Sequence, residues 1–203
     1  MPLPSLAYWF AASPILPHND GRPIVIGGSH TVLPPIQLCY HGLHWSEHPF
    51  DALHYAPGNL LYKVEPFGDF LIERDKGCST GRKYLAVQDA TKILQIFARE
   101  CALSVLHLWN PSPVVKEFLT TGDTQLAADA AYEADAAEYA AYAAANAAYA
   151  AASATANAAY AANAANAANA AANAAEYAAY AAENVRVQQR NRFAQLVAEL
   201  FSS

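Results

Sequence analysis

The chain has 203 residues, a net charge of −6 with histidines neutral, and 54% hydrophobic residues by count. That acidity leaves no basic face for nucleic-acid phosphates, which excludes nucleic acid as an expected partner. No window approaches the run of roughly eighteen strongly apolar residues that a membrane span needs, so no membrane partner is expected either. Much of the apolar count is alanine after residue 126, which buries little area, so the core is expected from the residues before it.

The first stretch, 1–85, is rich in proline, glycine and aromatics, with short apolar runs between turn signals. "LAYWFAA" reads as a first β-strand; no lysine or arginine precedes it, unlike the charged start of a secretory leader. Asn19-Asp20-Gly21 between apolar runs predicts a hairpin turn. Cys39 to Trp45 is expected as strand. Ser46 then caps a short helix, "EHPFDALHYA", which Pro57-Gly58 ends. Leu60–Val64 and Phe70–Ile72 are expected as two strands joined through Pro66 and Gly68.

From residue 86 the apolar period changes. Ile93, Ile96, Phe97, Cys101, Leu103, Val105 and Leu108 follow helical spacing behind Asp89 as cap. Asn110-Pro111 ends that helix and starts a second, with Pro111 at its first position and Gly122 past its end. Both are expected to cover one face of the β unit.

Residues 123–203 contain neither glycine nor proline, and alanine has the highest helix propensity of any residue. Tyrosine and asparagine recur there at threes and fours, as at Tyr132, Tyr139, Tyr142, Asn146 and Tyr149, which puts a polar, aromatic stripe on an alanine rod. Flat alanine faces let helices approach closely, so a homo-oligomer through this helix, or a hairpin or bundle, is expected. The acid is concentrated here: residues 1–122 carry ten acidic and nine basic side chains, and 123–203 carry eight and three. The whole reads as an α+β chain. A small, mostly antiparallel β head (1–85) with covering helices (86–122) is followed by a long alanine-rich helical tail (123–203).

Candidate chemistry is concentrated between Cys39 and Gly68. Cys39, His41, His44 and His48 are soft ligands at short spacing, but the spacing matches no common zinc pattern and no metal centre is expected. "GCSTGRK", 77–83, lacks the four-residue gap and final hydroxyl of a phosphate loop, and reads as an exposed turn where Lys76, Arg82 and Lys83 make a small basic spot, either an anion contact or a solvated loop. The three cysteines, Cys39, Cys78 and Cys101, include no CxxC pair and read as reduced thiols of a cytoplasmic protein.

One segment resembles a known family. Gly42-Leu43-His44-Trp45-Ser46, then Asp51-Ala52-Leu53-His54-Tyr55-Ala56, then Leu60-Leu61-Tyr62-Lys63-Val64-Glu65-Pro66-Phe67-Gly68 follow one another as the matching strand, helix and strand do in poly(ADP-ribose) polymerase-like ADP-ribosyltransferases. The pattern is also similar to uncharacterised phage and bacterial proteins that pair such a domain with an alanine-rich helical tail. The resemblance implies a nucleotide pocket near His41, His44, Ser46 and Tyr55, with His44 in the place of the tyrosine that stacks on nicotinamide. In that family a first-strand histidine or arginine and a late-strand glutamate complete the site. Here the first strand offers Tyr8 and Trp9, and no glutamate after Glu73 stands at the matching place. The expectation is therefore a structural or interaction protein, with a non-catalytic head, no cofactor and a self-associating tail. The alternative is a binder of NAD or an NAD-derived nucleotide, or a transferase-like enzyme.

Overall fold

A computed structural model describes residues 3–17, 20–104, 111–130, 132–133 and 183–202. The alanine-rich helix expected over 134–182 lies outside the described residues. The chain is mixed α+β, and it divides into two compact units: Met1–Gln95 with Arg190–Ser203, and Ile96–Gln189.

In the first unit, β1 (Ala7–Ala11), β2 (Ser29–Thr31), β3 (Leu43–Trp45), β4 (Leu60–Ile72) and β5 (Gly77–Asp89) form one antiparallel sheet, with α1 (Pro49–Leu53) between β3 and β4. β4 and β5 are its spine. β1 lies along β4, while β3 and β2 lie one after the other along the far edge of β5. Past the end of β3, Ser46 exchanges both backbone hydrogen bonds with Tyr8 of β1, at 2.8 and 3.0 Å. The circuit β1–β4–β5–β3 thus returns to β1, which gives the sheet a packed interior rather than an open face.

That interior holds Ala7, Ala11, Leu16, Leu43, Trp45, Tyr62, Val64 and Tyr84. Each fully buried large apolar side chain contributes about 1.5–3 kcal/mol relative to exposure. A helix described over 183–200 brings Phe193, Leu196 and Val197 into burial. Within this unit Phe193 meets the Phe50 ring at 6.4 Å, and Arg190 pairs with Asp51 of α1 at 2.9 Å. These are the apolar face and the terminal basic residues of the amphipathic segment "FAQLVAELF" and its approach.

In the chain's second half, α2 (Thr91–Ser104) starts where Asp89 accepts the Thr91 N–H at 2.8 Å. α3 (Pro113–Thr121) ends at Gly122, whose left-handed backbone (φ 70) lets its N–H reach Phe118 O at 2.8 Å. Val115 and Leu119 of α3 pack with Ala130 in a small core of the second unit.

Several local expectations are corrected. Pro113, not Pro111, opens α3. The hairpin turn expected at Asp20 and Gly21 is present in short form, Leu16 and Ile24 donating to Arg22 O and Pro14 O at 2.9 Å about an isolated Ile15–Pro23 bridge, and strand resumes at Ser29. Strand is confined to Leu43–Trp45 because residues 37–41 form a tight turn, with Gln37 and His41 exchanging backbone hydrogen bonds and Cys39 at φ 68. The two expected strands 60–64 and 70–72 are one strand with a bulge between Phe67 and Phe70. His48, not Ser46, caps α1, its Nδ1 accepting the Phe50 N–H at 3.3 Å. Most consequentially, "GCSTGRK" is no exposed turn: it is the first half of β5, and Gly77, Cys78, Ser79, Gly81 and Arg82 are buried.

Candidate functional site

A cleft of about 840 Å³ opens in the first unit. Its wall includes all four residues named from the sequence, His41, His44, Ser46 and Tyr55. Their distribution follows from the chain path: the 37–41 turn carries His41, β3 carries His44, the Tyr8 bridge fixes Ser46, and Tyr55 follows α1.

The four differ in what they are free to do. His41 donates from Nε2 to Leu33 O at 2.7 Å, and His44 Nε2 accepts the Cys39 N–H at 2.9 Å. Both rings therefore spend a nitrogen on holding the loop around Cys39. Ser46 is 2% exposed, and its backbone belongs to the strand closure. Tyr55 is 49% exposed at the rim, where its hydroxyl donates to Asp75 Oδ2 at 2.8 Å; that bond holds the phenol above its usual range. Beside it Lys76 lies over the Tyr55 ring at 5.4 Å and donates to Cys39 Sγ at 3.1 Å, which raises the ammonium's pKa.

The floor is built by a residue that the sequence placed in solvent. Arg82 is 2% exposed and lines the cleft. Its guanidinium carbon sits 3.8 Å from the centre of the Trp9 ring and 5.2 Å from that of Tyr84. Nη1 donates to His44 O and Nη2 to Tyr84 Oη at 3.2 Å. Nε is buried with no hydrogen-bond partner, and among the described residues no carboxylate pairs with the group. Burial pushes the Arg82 pKa down, but a guanidinium stays charged in a protein. Among the described residues, ring faces and two neutral oxygens are what this interior positive charge meets.

The network continues outward from Tyr84, whose Oη lies 3.0 Å from Nδ1 of His30 on β2. Burial, with the nearby Arg22 cation, lowers the His30 pKa; in the neutral ring Nδ1 can accept the Tyr84 hydroxyl hydrogen. Trp9, Tyr62 and Tyr84 surround this region with centroid separations of 5.4 to 6.4 Å. The arrangement is suited to holding a flat ring against aromatic faces and an acidic group against Arg82.

It is poorly suited to proton transfer by paired carboxylates. The lining contains one acid, Asp20, and Arg22 holds it by bonds of 2.6 and 2.8 Å that depress its pKa. Among the described residues no three His, Cys, Asp or Glu side chains converge as a metal-binding set. Comparison with protein-family models, with curated proteins and with solved structures finds no match to this chain.

Sequence reasoning does not bring Arg82 and Tyr84, nor His30 and Lys76, into this site; it reads Arg82 and Lys76, with Lys83, only as a basic spot that is an anion contact or a solvated loop. A signal for the first two was present: Arg82 and Tyr84 stand at i and i+2, on one face of any strand. Gly77 and Gly81, taken as turn glycines, have another purpose. A Cβ at Gly77 would strike the Trp45 ring, and one at Gly81 the Phe67 ring, so both let an aromatic ring lie against the strand.

Proposed function

We propose that this is a non-catalytic binding protein of poly(ADP-ribose) polymerase-like ancestry, whose head takes a nucleotide of the NAD-derived class and whose alanine-rich stretch, within 123–203 and ahead of the terminal helix that buries Phe193, associates with copies of itself. The cleft carries the first half of this proposal. It gathers His41, His44, Ser46 and Tyr55 with the rings of Tyr8, Trp9 and Tyr40. Its 840 Å³ falls in the usual range for small-molecule sites, roughly 300–1,000 Å³. Binding rather than turnover is favoured because the one lining acid is already tied to Arg22. Self-association is supported by composition: no glycine or proline interrupts 123–203, and flat alanine faces have little to bury except one another.

Calorimetric titration of the full-length chain with NAD, with light scattering on the same sample, tests both halves. Saturable one-to-one binding by a stable oligomer is the expected result. A strict monomer removes the self-association half, and absence of heat at millimolar NAD removes the nucleotide half.

A further inference from the structure

Resting on the cleft as a ligand site, we infer that Arg82 is its anion-recognition residue, so that the ligand presents an acidic oxygen group, phosphate or carboxylate, to the cleft floor. A buried cation without an anionic partner costs several kcal/mol of desolvation that rings and neutral oxygens offset only in part. Natural interiors rarely keep such a group, and among the described residues Arg82 bonds only to His44 O and Tyr84 Oη, neither of which needs a charge. Its buried Nε–H has no partner. The residue lies on the wall of this cleft, with a ring face already set against the guanidinium at 3.8 Å.

The planar fork also matters. The carbonyl of His44, the hydroxyl of Tyr84 and the Trp9 face fix its plane before any ligand arrives, so little freedom is lost on binding. A lysine at this position would provide charge without that geometry. His30 lies on the far side of Tyr84, its Nδ1 3.0 Å from Tyr84 Oη, and braces that ring from behind.

Matched probe pairs on the full-length chain test this. AMP against adenosine differs by a phosphate, and nicotinate against nicotinamide differs by a carboxylate in place of an amide. A charge-assisted hydrogen bond predicts that the acidic member of at least one pair binds about tenfold tighter or more. Which pair shows the preference assigns the group. Arg82→Gln should bring the two members of that pair to equal affinity, and Arg82→Lys should keep only part of the preference. Lys83→Met, an exposed neighbour on the same strand that does not line the cleft, should leave it intact. If Arg82→Gln does not fold, the wild-type pairs and Arg82→Lys still decide. Equal affinity within both pairs, or a preference that survives Arg82→Gln in a folded protein, overturns the inference while leaving the cleft as a site. Failure of all four probes to bind overturns the cleft reading and the inference together.

Discussion

Lys76 and Arg82 stand six positions apart in one short basic stretch, and each rests on an aromatic ring, yet they serve opposite situations. Lys76 is at the rim, over Tyr55, with Cys39 Sγ and Glu73 Oε2 at 3.1 and 3.5 Å. Arg82 is at the floor, over Trp9, and among the described residues no carboxylate pairs with it. In water the rim cation has solvent for a partner and its contacts are worth little. In the interior the same kind of contact sets a charge where no solvent can screen it. Burial, rather than residue type, separates a surface decoration from a recognition device. Arg190–Asp51 is a third arrangement, an ion pair with one partner 45% and the other 10% exposed by side chain.

Substitutions can break this gradient at each level. Trp9→Ala should have the largest effect, removing the ring beneath the guanidinium together with its packing, about 3–5 kcal/mol by the usual cost of aromatic truncation in a core. Chemical denaturation measures it, and a loss under 1 kcal/mol would show that the floor is not held as described. Arg190→Gln should cost less, about 1 kcal/mol, because the Asp51 carboxylate loses its partner while the exposure of Arg190 screens much of the pair. An unchanged denaturation midpoint there would mean that the terminal helix is docked by Phe193, Leu196 and Val197 alone. Tyr55→Phe at the rim should shift stability by at most about 0.5 kcal/mol, since the lost bond to Asp75 is solvent-exposed.

The remaining prediction concerns acid. His30 and His48 both have pKa values lowered from 6.5, in each case chiefly by burial. A lowered histidine binds fewer protons in the folded chain than in the unfolded one, so stability rises with pH through this window. It is complete above about pH 6.5 and is lost as pH falls from there through the lowered folded values. Asp20 and Asp89, lowered by their bonds to Arg22 and Thr91, add a second loss below about pH 4. His48→Asn keeps an acceptor for the α1 cap and removes one titrating ring, so its melting temperature should fall less than wild type between about pH 7.5 and 5.5. An equal fall in both proteins would place the acid sensitivity elsewhere.

How much of this was legible depended on which contacts are local. β1, the start of α2 and the Gly122 stop follow from neighbours in sequence, through apolar period and capping, and they stand where expected, while the α2 stop expected at Asn110 lies outside the described residues. The four cleft residues could be grouped from a thirty-residue pattern, though their individual bonds could not. The cap at His48 defeated the Ser46 expectation because Ser46 is drawn into a bridge with Tyr8, thirty-eight residues away in sequence. β5 was hidden for a comparable reason. Glycine, serine and threonine mark turns when only sequence neighbours count, but here the space they leave is filled by Trp45 and Phe67 from other strands. Arg82 looked solvated because a basic residue is exposed far more often than not, and nothing next to it in sequence reveals Trp9.

A crystal structure of the full-length chain grown with ADP-ribose tests the central claim most directly. The account predicts the nucleotide in the cleft, a ring against the aromatic wall near Trp9, and an acidic oxygen within hydrogen-bonding distance, about 2.7–3.2 Å, of Arg82 Nε. An ordered nucleotide bound elsewhere, or one in the cleft with its phosphates turned to the Lys76 rim and Arg82 Nε still unpartnered, would contradict it.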